Sequence, residues 1–161
     1  MEIYDILKND HRNVLDMMDA VVKADDDDRK SILTLIHTEL AMHSKAEEEV
    51  FYRPLKEKLS NDEIIDHLFD DHDEIDKLLA TLQTSSAKDG NWMGDIRKLR
   101  TVLERHIKTE EGQVFPLAHE QFSSSQAEQF GLRLLAEKGK LGMPNPITVA
   151  ARKVKELVSG D

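Results

Sequence analysis

The segment HSKAEEEVFYRPL, residues 43–55, and its counterpart HIKTEEGQVFPL, residues 106–117, decide the fold of this chain. Both contain a histidine that is followed four positions later by a glutamate: His43 with Glu47, and His106 with Glu110. A spacing of four places two side chains one turn apart on the same face of an α-helix. Each segment therefore predicts a helix that presents an imidazole and a carboxylate to one centre.

A second pair of segments repeats in the same order, NDHRNVLDMM at 9–18 and DDHDEIDKLL at 70–79. His11 in the first lies 61 positions before His72 in the second, and the two histidine–glutamate pairs lie 63 positions apart. The chain thus contains a helical hairpin and a second, similar hairpin. This repeat predicts a pseudo-symmetric centre with one lone histidine and one histidine–glutamate pair from each half.

The intervals between apolar residues indicate an all-α protein. Steps of three and four predict long helices that begin near residues 3, 29, 63 and 95, with a polar loop at 84–94. Glycine and proline are sparse, and no alternating strand pattern occurs. The short connections predict antiparallel neighbours, in an up-down-up-down four-helix bundle.

Six polar residues occupy positions in the apolar seam of these helices: His11, His43, Glu47, His72, His106 and Glu110. Burial of such groups without a partner costs on the order of several kcal/mol each. All six fall near mid-height of the helices, so we expect one shared partner. Four imidazoles and two bridging carboxylates would hold two metal ions and leave an open position. Nitrogen and oxygen donors suit iron, manganese or cobalt, and we predict a non-haem centre of two iron ions with an oxo, hydroxo or water bridge; manganese is less favoured.

The composition of the 161-residue chain narrows its possible partners. There is no cysteine, so disulfides, thiolate metal sites and cysteine nucleophiles are excluded. The net charge of −10 argues against nucleic acids and anionic membrane surfaces as partners. No apolar run has the length of a membrane span, and the first residues lack a signal-peptide pattern. We therefore expect a soluble, cytoplasmic protein that takes a small gaseous or peroxide ligand.

The order of these residues resembles that of the haemerythrin-like, or HHE cation-binding, family. The resemblance covers residues 1–122, and it includes the NDH motif at 9–11 and the EExxFYRP and EExxVFP ends of the second and fourth helices. It implies a four-helix bundle that holds a di-iron site. Such a site reacts reversibly with dioxygen or with related small oxidants.

The chain departs from the family pattern on the third helix. Haemerythrins proper carry a second histidine there, where this chain has Asp76, and one imidazole fewer favours redox turnover over stable oxygen carriage. The last carboxylate of haemerythrin corresponds to Glu111, so Glu48 and Glu111 are alternative ligands, as is Asp76. Tyr52 is a further candidate ligand, provided that a helix distortion before Pro54 turns its side chain inward.

Two other kinds of centre fit this pattern less well. A ferritin-like site needs Glu-x-x-His pairs, and no histidine here has a glutamate three residues before it. A haem bundle leaves the two seam glutamates unexplained, although the chain offers three candidate axial ligands: Met17, Met18 and Met42. Three further histidines lie off the seam and are predicted to face solvent: His37, His67 and His119.

Residues 123–161 are predicted to form a helical extension beyond the bundle. A capping box at 125–128 predicts a helix that ends near Lys138. A linker at 139–146 and a second amphipathic helix at 147–158 follow. The extension is interpreted either as a lid over one end of the bundle or as a docking element for a partner or a second subunit.

Two classes of function follow from the sequence. The first is redox reactivity, in which an iron pair binds dioxygen, peroxide or nitric oxide, with peroxidase-like or catalase-like turnover under oxidative stress. The second is an iron-sensing or oxygen-sensing module without turnover. Repair of iron–sulphur centres is known among relatives with a cysteine-bearing N-terminal region. It is disfavoured here because the chain has no cysteine.

Overall fold

The computed structural model describes residues 1–140, and every regular element in this range is helical. The α-helices are α1 Ile3–Lys23, α2 Asp26–Glu47, α3 Arg53–Lys58, α4 Glu63–Thr84, α5 Trp92–Thr109, α6 Phe115–Gln121 and α7 Ser124–Lys140. Two π-helical turns, Glu48–Tyr52 and Glu110–Val114, join α2 to α3 and α5 to α6 without a break. The prediction of an all-α fold is confirmed for the described residues.

The starts of α2 and α5 differ from the prediction. α2 begins at Asp26, three residues early, because the Asp25 side chain accepts a hydrogen bond from the Asp28 backbone nitrogen at 3.1 Å. α5 begins at Trp92, inside the segment that was predicted as a loop. Its buried indole nitrogen donates to the carbonyl oxygen of Leu82 at 3.1 Å, which fixes the start of α5 against the end of α4.

Two apolar clusters fill the interior, with a polar layer between them. The Trp92 cluster includes one residue three positions, or about one helical turn, from each seam histidine: Val14, Leu40, Ile75 and Leu103. The Phe51 cluster includes residues that lie in the opposite direction along the same helices from the seam histidines: Leu7, Ala46, Leu68 and Val114. α1 and α4 run from the Phe51 cluster to the Trp92 cluster, and α2 and α5 run in the opposite direction.

Four helices surround this polar layer. α1 packs against α2 and α5, and α4 packs against the same two helices, which makes a helical bundle. Each fully buried Leu or Ile contributes about 1.5–3 kcal/mol, so the two apolar clusters offset the cost of the polar layer. Within residues 1–140, no helix is both long enough and apolar enough to cross a membrane.

α7 lies along α1 and α2 and buries one stripe of its surface. The stripe consists of Ala127, Gly131, Leu134 and Lys138. A Cβ atom at Gly131 would lie 2.6 Å from the carbonyl oxygen of Met1, so any larger residue there would push α7 away from the start of α1. α7 is therefore held close to the bundle through a glycine, and its stripe ends in a buried lysine.

The start of α7 corrects the predicted capping box. The box does not form at 125–128. Instead, the Ser123 backbone nitrogen donates to Gln126 Oε1 at 2.8 Å, and the Gln126 backbone nitrogen donates to Ser123 Oγ at 3.2 Å. A glutamine oxygen accepts this bond as well as a glutamate oxygen does, so the motif moves two residues toward the N-terminus. The linker beyond Lys140 and the helix predicted at 147–158 lie outside the described residues.

Candidate metal centre

The polar seam residues meet in the layer between the two apolar clusters. None of them is more than 5% exposed. Ligand atoms of His11, His43 and Glu47 lie within 4.8 Å of one another, and so do ligand atoms of Glu47, His72 and His106. Glu47 belongs to both groups. Its carboxylate therefore lies between two positions that a metal ion could occupy.

Glu110 approaches the same layer from the other half of the repeat. Its Oε1 lies 3.4 Å from His11 Nε2, and its Oε2 lies 3.5 Å from His106 Nε2. Glu47 Oε2 makes the matching pair of contacts with the other two seam histidines, at 3.2 and 3.4 Å. Each glutamate thus lies between an imidazole from its own helix and an imidazole from another helix.

Several atoms in this layer are buried without a hydrogen-bond partner among residues 1–140. They include both carboxylate oxygens of Glu47, Oε1 of Glu110 and Nε2 of His11, and the outer nitrogen of His72, Nδ1, is unpartnered as well. An unpaired buried polar group costs about 1–3 kcal/mol, and such groups are rare in folded proteins. A cation ligated by these atoms would remove that cost. The residues present therefore fit a metal ion that prefers nitrogen and oxygen donors.

Two aspartates hold the outer nitrogens of two imidazoles. His43 Nδ1 lies 2.9 Å from Asp10 Oδ2, and His106 Nδ1 lies 3.1 Å from Asp71 Oδ2. A carboxylate at Nδ1 fixes the ring and leaves the Nε2 lone pair directed at the metal position. Sequence analysis missed both aspartates. The signal was available, because each directly precedes a lone seam histidine in the repeated Asp-His dipeptide.

Two glutamates occupy similar places behind the other two imidazoles. Glu111 Oε2 lies 2.7 Å from His11 Nδ1, and Glu48 Oε2 lies 3.7 Å from His72 Nδ1. The structure thus places Glu48 and Glu111, proposed above as alternative ligands, next to the outer nitrogens of the imidazoles. Asp76, the third alternative, is exposed on α4 and is not brought into the layer.

The first π-helical turn brings Tyr52 into the layer. In an α-helix, a residue five positions after Glu47 would point about 140° away from it. The wider turn at Glu48–Tyr52 returns the side chain to the inner face. The distortion considered for this segment before Pro54 is therefore present, and Tyr52 is fully buried.

The Tyr52 hydroxyl lies at the centre of the polar layer. It donates to Glu110 Oε2, and it lies 3.4 Å from His72 Nε2 and 3.3 Å from His106 Nε2. Burial, and then the charges of the neighbouring glutamates, raise the pKa of Tyr52 well above its usual value. The hydroxyl therefore keeps its proton and acts as a hydrogen-bond donor in the metal-free protein.

The imidazoles gain protons more readily than free histidine does. Burial lowers the pKa of His43, but the carboxylates of Glu47 and Asp10 outweigh burial and raise it to about 10. For His106, Asp71 and the seam glutamates likewise outweigh burial and raise the pKa to about 9. A metal ion must therefore displace protons when it binds, which makes metal affinity depend on pH.

The two halves of the site are not identical. Phe115 follows Glu110 by five residues, as Tyr52 follows Glu47, and it comes directly after the second π-helical turn. The Phe115 ring is buried, and its centroid lies 5.2 Å from that of Tyr4, in the Phe51 cluster. The phenol of one half thus corresponds to a hydrocarbon ring in the other half.

A small pocket of about 10 Å³ lies beside the four imidazoles. Its apolar wall is formed by Val14, Leu40, Ile75, Leu103 and Ile107. The remaining histidines lie elsewhere: the structure places His67 and His119 on the surface and leaves His37 partly exposed. The pocket offers a small ligand an apolar space next to the donor atoms.

The chain belongs to the family described as Hemerythrin HHE cation binding domain, whose model matches residues 2–118. The resemblance seen in the sequence is thereby confirmed, and the two histidine–glutamate clusters fit a metal site in such a domain. A relative from Nostoc sp. (strain PCC 7120 / SAG 25.82 / UTEX 2576), described as a DNA nickase, is 26% identical over 142 residues. That match covers 88% of this chain and 40% of the relative, so the chain spans less than half of its length. No solved structure matches the chain significantly.

Proposed function

We propose that this protein is a non-haem di-iron protein that binds and reacts with dioxygen, peroxide or nitric oxide. The observation that supports it best is the pair of buried donor groups that share Glu47. In this proposal His11 and His43 serve one iron, and His72 and His106 serve the other. Glu47 and Glu110 bridge the two, and the helices are arranged up-down-up-down, in keeping with their alternating directions between the apolar clusters.

The chain's own residues prepare this site for chemistry. Iron bound there would supply a Lewis acid and a source of electrons. Asp10 and Asp71 hold His43 and His106 with Nε2 turned inward. The apolar pocket wall favours small uncharged ligands over hydrated ions. The Tyr52 hydroxyl holds a proton within hydrogen-bonding distance of Glu110, where a ligand that gains negative charge needs a donor.

A feature of α4, the third long helix, favours turnover over reversible carriage of oxygen. Asp76 stands where haemerythrins proper have a further histidine, and its side chain is exposed. In this proposal no carboxylate from this position replaces the missing imidazole. A centre with four imidazoles keeps more positions open for exchangeable ligands, and open positions are what a catalytic metal needs.

Metal analysis of the purified full chain, with optical and Mössbauer spectra, tests the proposal. We expect two irons per chain in a coupled pair, and a change of the optical spectrum on addition of dioxygen, peroxide or nitric oxide. Glu47→Gln should lose iron, whereas Glu49→Gln, a matched change at an exposed neighbour, should keep it. One zinc per chain, or an iron pair inert to all three reagents, would overturn the proposal.

A binding or sensing module without turnover is the second candidate. It is favoured by one contact, in which Lys138 of α7 reaches the aspartate behind His43, because this contact ties a helix at the edge of the bundle to the site. Peroxide consumption separates the two candidates. Iron-loaded protein that binds a ligand stoichiometrically but consumes no peroxide over many equivalents would favour the module.

The match to part of a DNA nickase raises DNA cleavage as another possible activity. We do not extend it to this chain, because a net charge of −10 opposes contact with a phosphate backbone. Incubation of the metal-loaded protein with supercoiled plasmid should leave the plasmid intact. Conversion of the plasmid to the open circular form, abolished by Glu47→Gln, would reverse this view.

A further inference from the structure

One carboxylate oxygen behind the metal site receives two donors. Asp10 Oδ2 lies 2.9 Å from His43 Nδ1 and 2.5 Å from the Lys138 ammonium. Lys138 comes from α7 and is only 3% exposed. An ammonium and an imidazole thus share one anionic oxygen, in the interior of the protein.

In the other half of the repeat, the aspartate behind the imidazole has a different partner. Asp71 uses Oδ2 for His106 and Oδ1 for Arg105, which lies 2.9 Å away. Arg105 stands on the same helix as His106, one position before it, and its side chain is 55% exposed. One half of the site is therefore completed by a neighbouring surface arginine, and the other half by a buried lysine from a separate helix.

Packing alone does not explain a lysine at this position. The stripe of α7 is otherwise made of Ala127, Gly131 and Leu134, and a further leucine would continue it without the cost of burying an ammonium. A buried ammonium is expensive unless it is paired. Lys138 is paired with Asp10, and its charge also acts on Glu39, a buried carboxylate with no hydrogen-bond partner among the described residues.

We propose that Lys138 is a positioning residue of the metal centre, which orients His43 through Asp10 so that α7 docking and metal binding stabilise each other. The inference rests on the proposed metal site but not on its reaction with oxidants. Lys138 lies beyond residues 2–118, the range of the family match. By thermodynamic linkage, if docked α7 increases metal affinity, then bound metal stabilises docked α7 by the same factor.

The full chain loaded with cobalt(II), whose visible absorption reports on its ligands without any oxidant, provides the first test. We compare Lys138→Met, Lys138→Arg and Lys140→Met, a matched change two residues away at a side chain that is 71% exposed. Lys138→Met should lose metal to a chelator about tenfold faster and shift the absorption bands, as loss of an outer partner of a metal ligand does. Lys138→Arg should restore most of the retention, and Lys140→Met should match the wild type.

A double-mutant cycle with Asp10→Asn separates positioning from packing. If Lys138 acts through Asp10, then Lys138→Met should add little to the loss of metal retention that Asp10→Asn already causes. Additive effects would overturn the proposal, because they indicate independent structural roles. Circular dichroism and urea unfolding of each metal-free variant check that the helices still form.

Hydrogen exchange of α7 gives the reciprocal readout. Metal should slow exchange at the amides of Ala127–Lys138 in the wild type, and it should have a smaller effect in Lys138→Met. Equal metal retention and equal spectra in Lys138→Met and Lys140→Met would overturn this inference alone. A wild type that takes up no metal would reject the proposed function as well, which is a distinct result.

Discussion

At the scale of single residues, the Tyr52 hydroxyl is the group whose proposed role can be tested most directly. It is the donor to Glu110 and the neighbour of two imidazoles, yet the equivalent position in the other half holds Phe115. A phenyl ring is therefore compatible with this place in the bundle. The hydroxyl group and the ring can be tested separately.

We expect Tyr52→Phe to keep its helices and its metal. Removal of one buried hydrogen bond should lower the free energy of unfolding by about 1–2 kcal/mol. The optical spectrum and the rate of reaction with peroxide should both change, because Glu110 loses its donor. Tyr4→Phe is the control, since the Tyr4 hydroxyl has no hydrogen-bond partner among the described residues. Identical spectra and rates for Tyr52→Phe and the wild type would refute the role of the hydroxyl.

Glu39 provides a residue-scale prediction about pH. Burial raises the pKa of Glu39 from 4.5 to about 7, although the nearby Lys138 ammonium lowers it. The folded state thus holds this proton more tightly than the unfolded state. The Glu39 contribution to stability is therefore fully present at acid pH and is lost as the pH rises from about 4.5 to about 7.

Glu39→Gln should remove this loss. In metal-free protein, the difference in unfolding free energy between Glu39→Gln and the wild type should grow by about 3 kcal/mol from acid to slightly alkaline pH. Urea unfolding at a series of pH values measures it. Glu57→Gln, at an exposed glutamate, is the control. A constant difference at all pH values would contradict the prediction.

At the scale of elements, the π-helical turns mark where helical periodicity stopped predicting the site. The steps of three and four place His43 and Glu47 correctly on one face, because both lie in α2 before the first turn. Tyr52 lies at the end of that turn and faces inward only because the winding is wider there. Local spacing therefore predicts the inner side chains of α-helices, and it misplaces those that follow a change of helix type.

α7 allows a prediction about close packing. Gly131→Ala should destabilise the protein by about 1–3 kcal/mol, because its Cβ would meet the Met1 carbonyl oxygen, a backbone atom that cannot rotate away. Gly139→Ala, in the same helix with nothing within 4 Å of its Cβ, should stabilise by about 0.5–1 kcal/mol. Urea unfolding compares the two. Equal effects would show that α7 is not held tightly against α1.

At the scale of the whole molecule, the sequence predicts more about the bundle and its seam residues than about the charged residues that surround them. The four histidines and two glutamates could be found because polar residues interrupt an apolar seam at regular steps. Lys138 and Glu39 could not, because neither lies in a repeated motif and their proximity arises only when α7 packs on α2. Asp10 and Asp71 fall between these cases. Their repeated Asp-His motif is visible in the sequence, but the sequence does not show which imidazole each aspartate contacts.

Metal removal is the whole-molecule prediction. The polar layer holds unpaired buried atoms that a cation would satisfy, so a tightly bound ion should stabilise the fold by about 4 kcal/mol. We expect chelation to lower the melting temperature by about 10 °C. Glu47→Gln should melt at the lower temperature with or without chelator. The same melting temperature before and after removal of metal from the wild type would contradict a metal that stabilises the bundle.

The two halves of the site are supported by different ion pairs, one buried and one exposed, and this difference determines how each half responds to salt. The contact between Asp10 and Lys138 is buried, and mobile ions do not reach it, whereas Arg105 meets Asp71 at the surface. Exposed ion pairs weaken as salt screens them, and buried pairs hardly respond. Added salt should therefore loosen the support of His106 and leave that of His43 unchanged. If two metal ions bind as proposed, ionic strength would act on the position that His106 serves and leave the position that His43 serves unchanged.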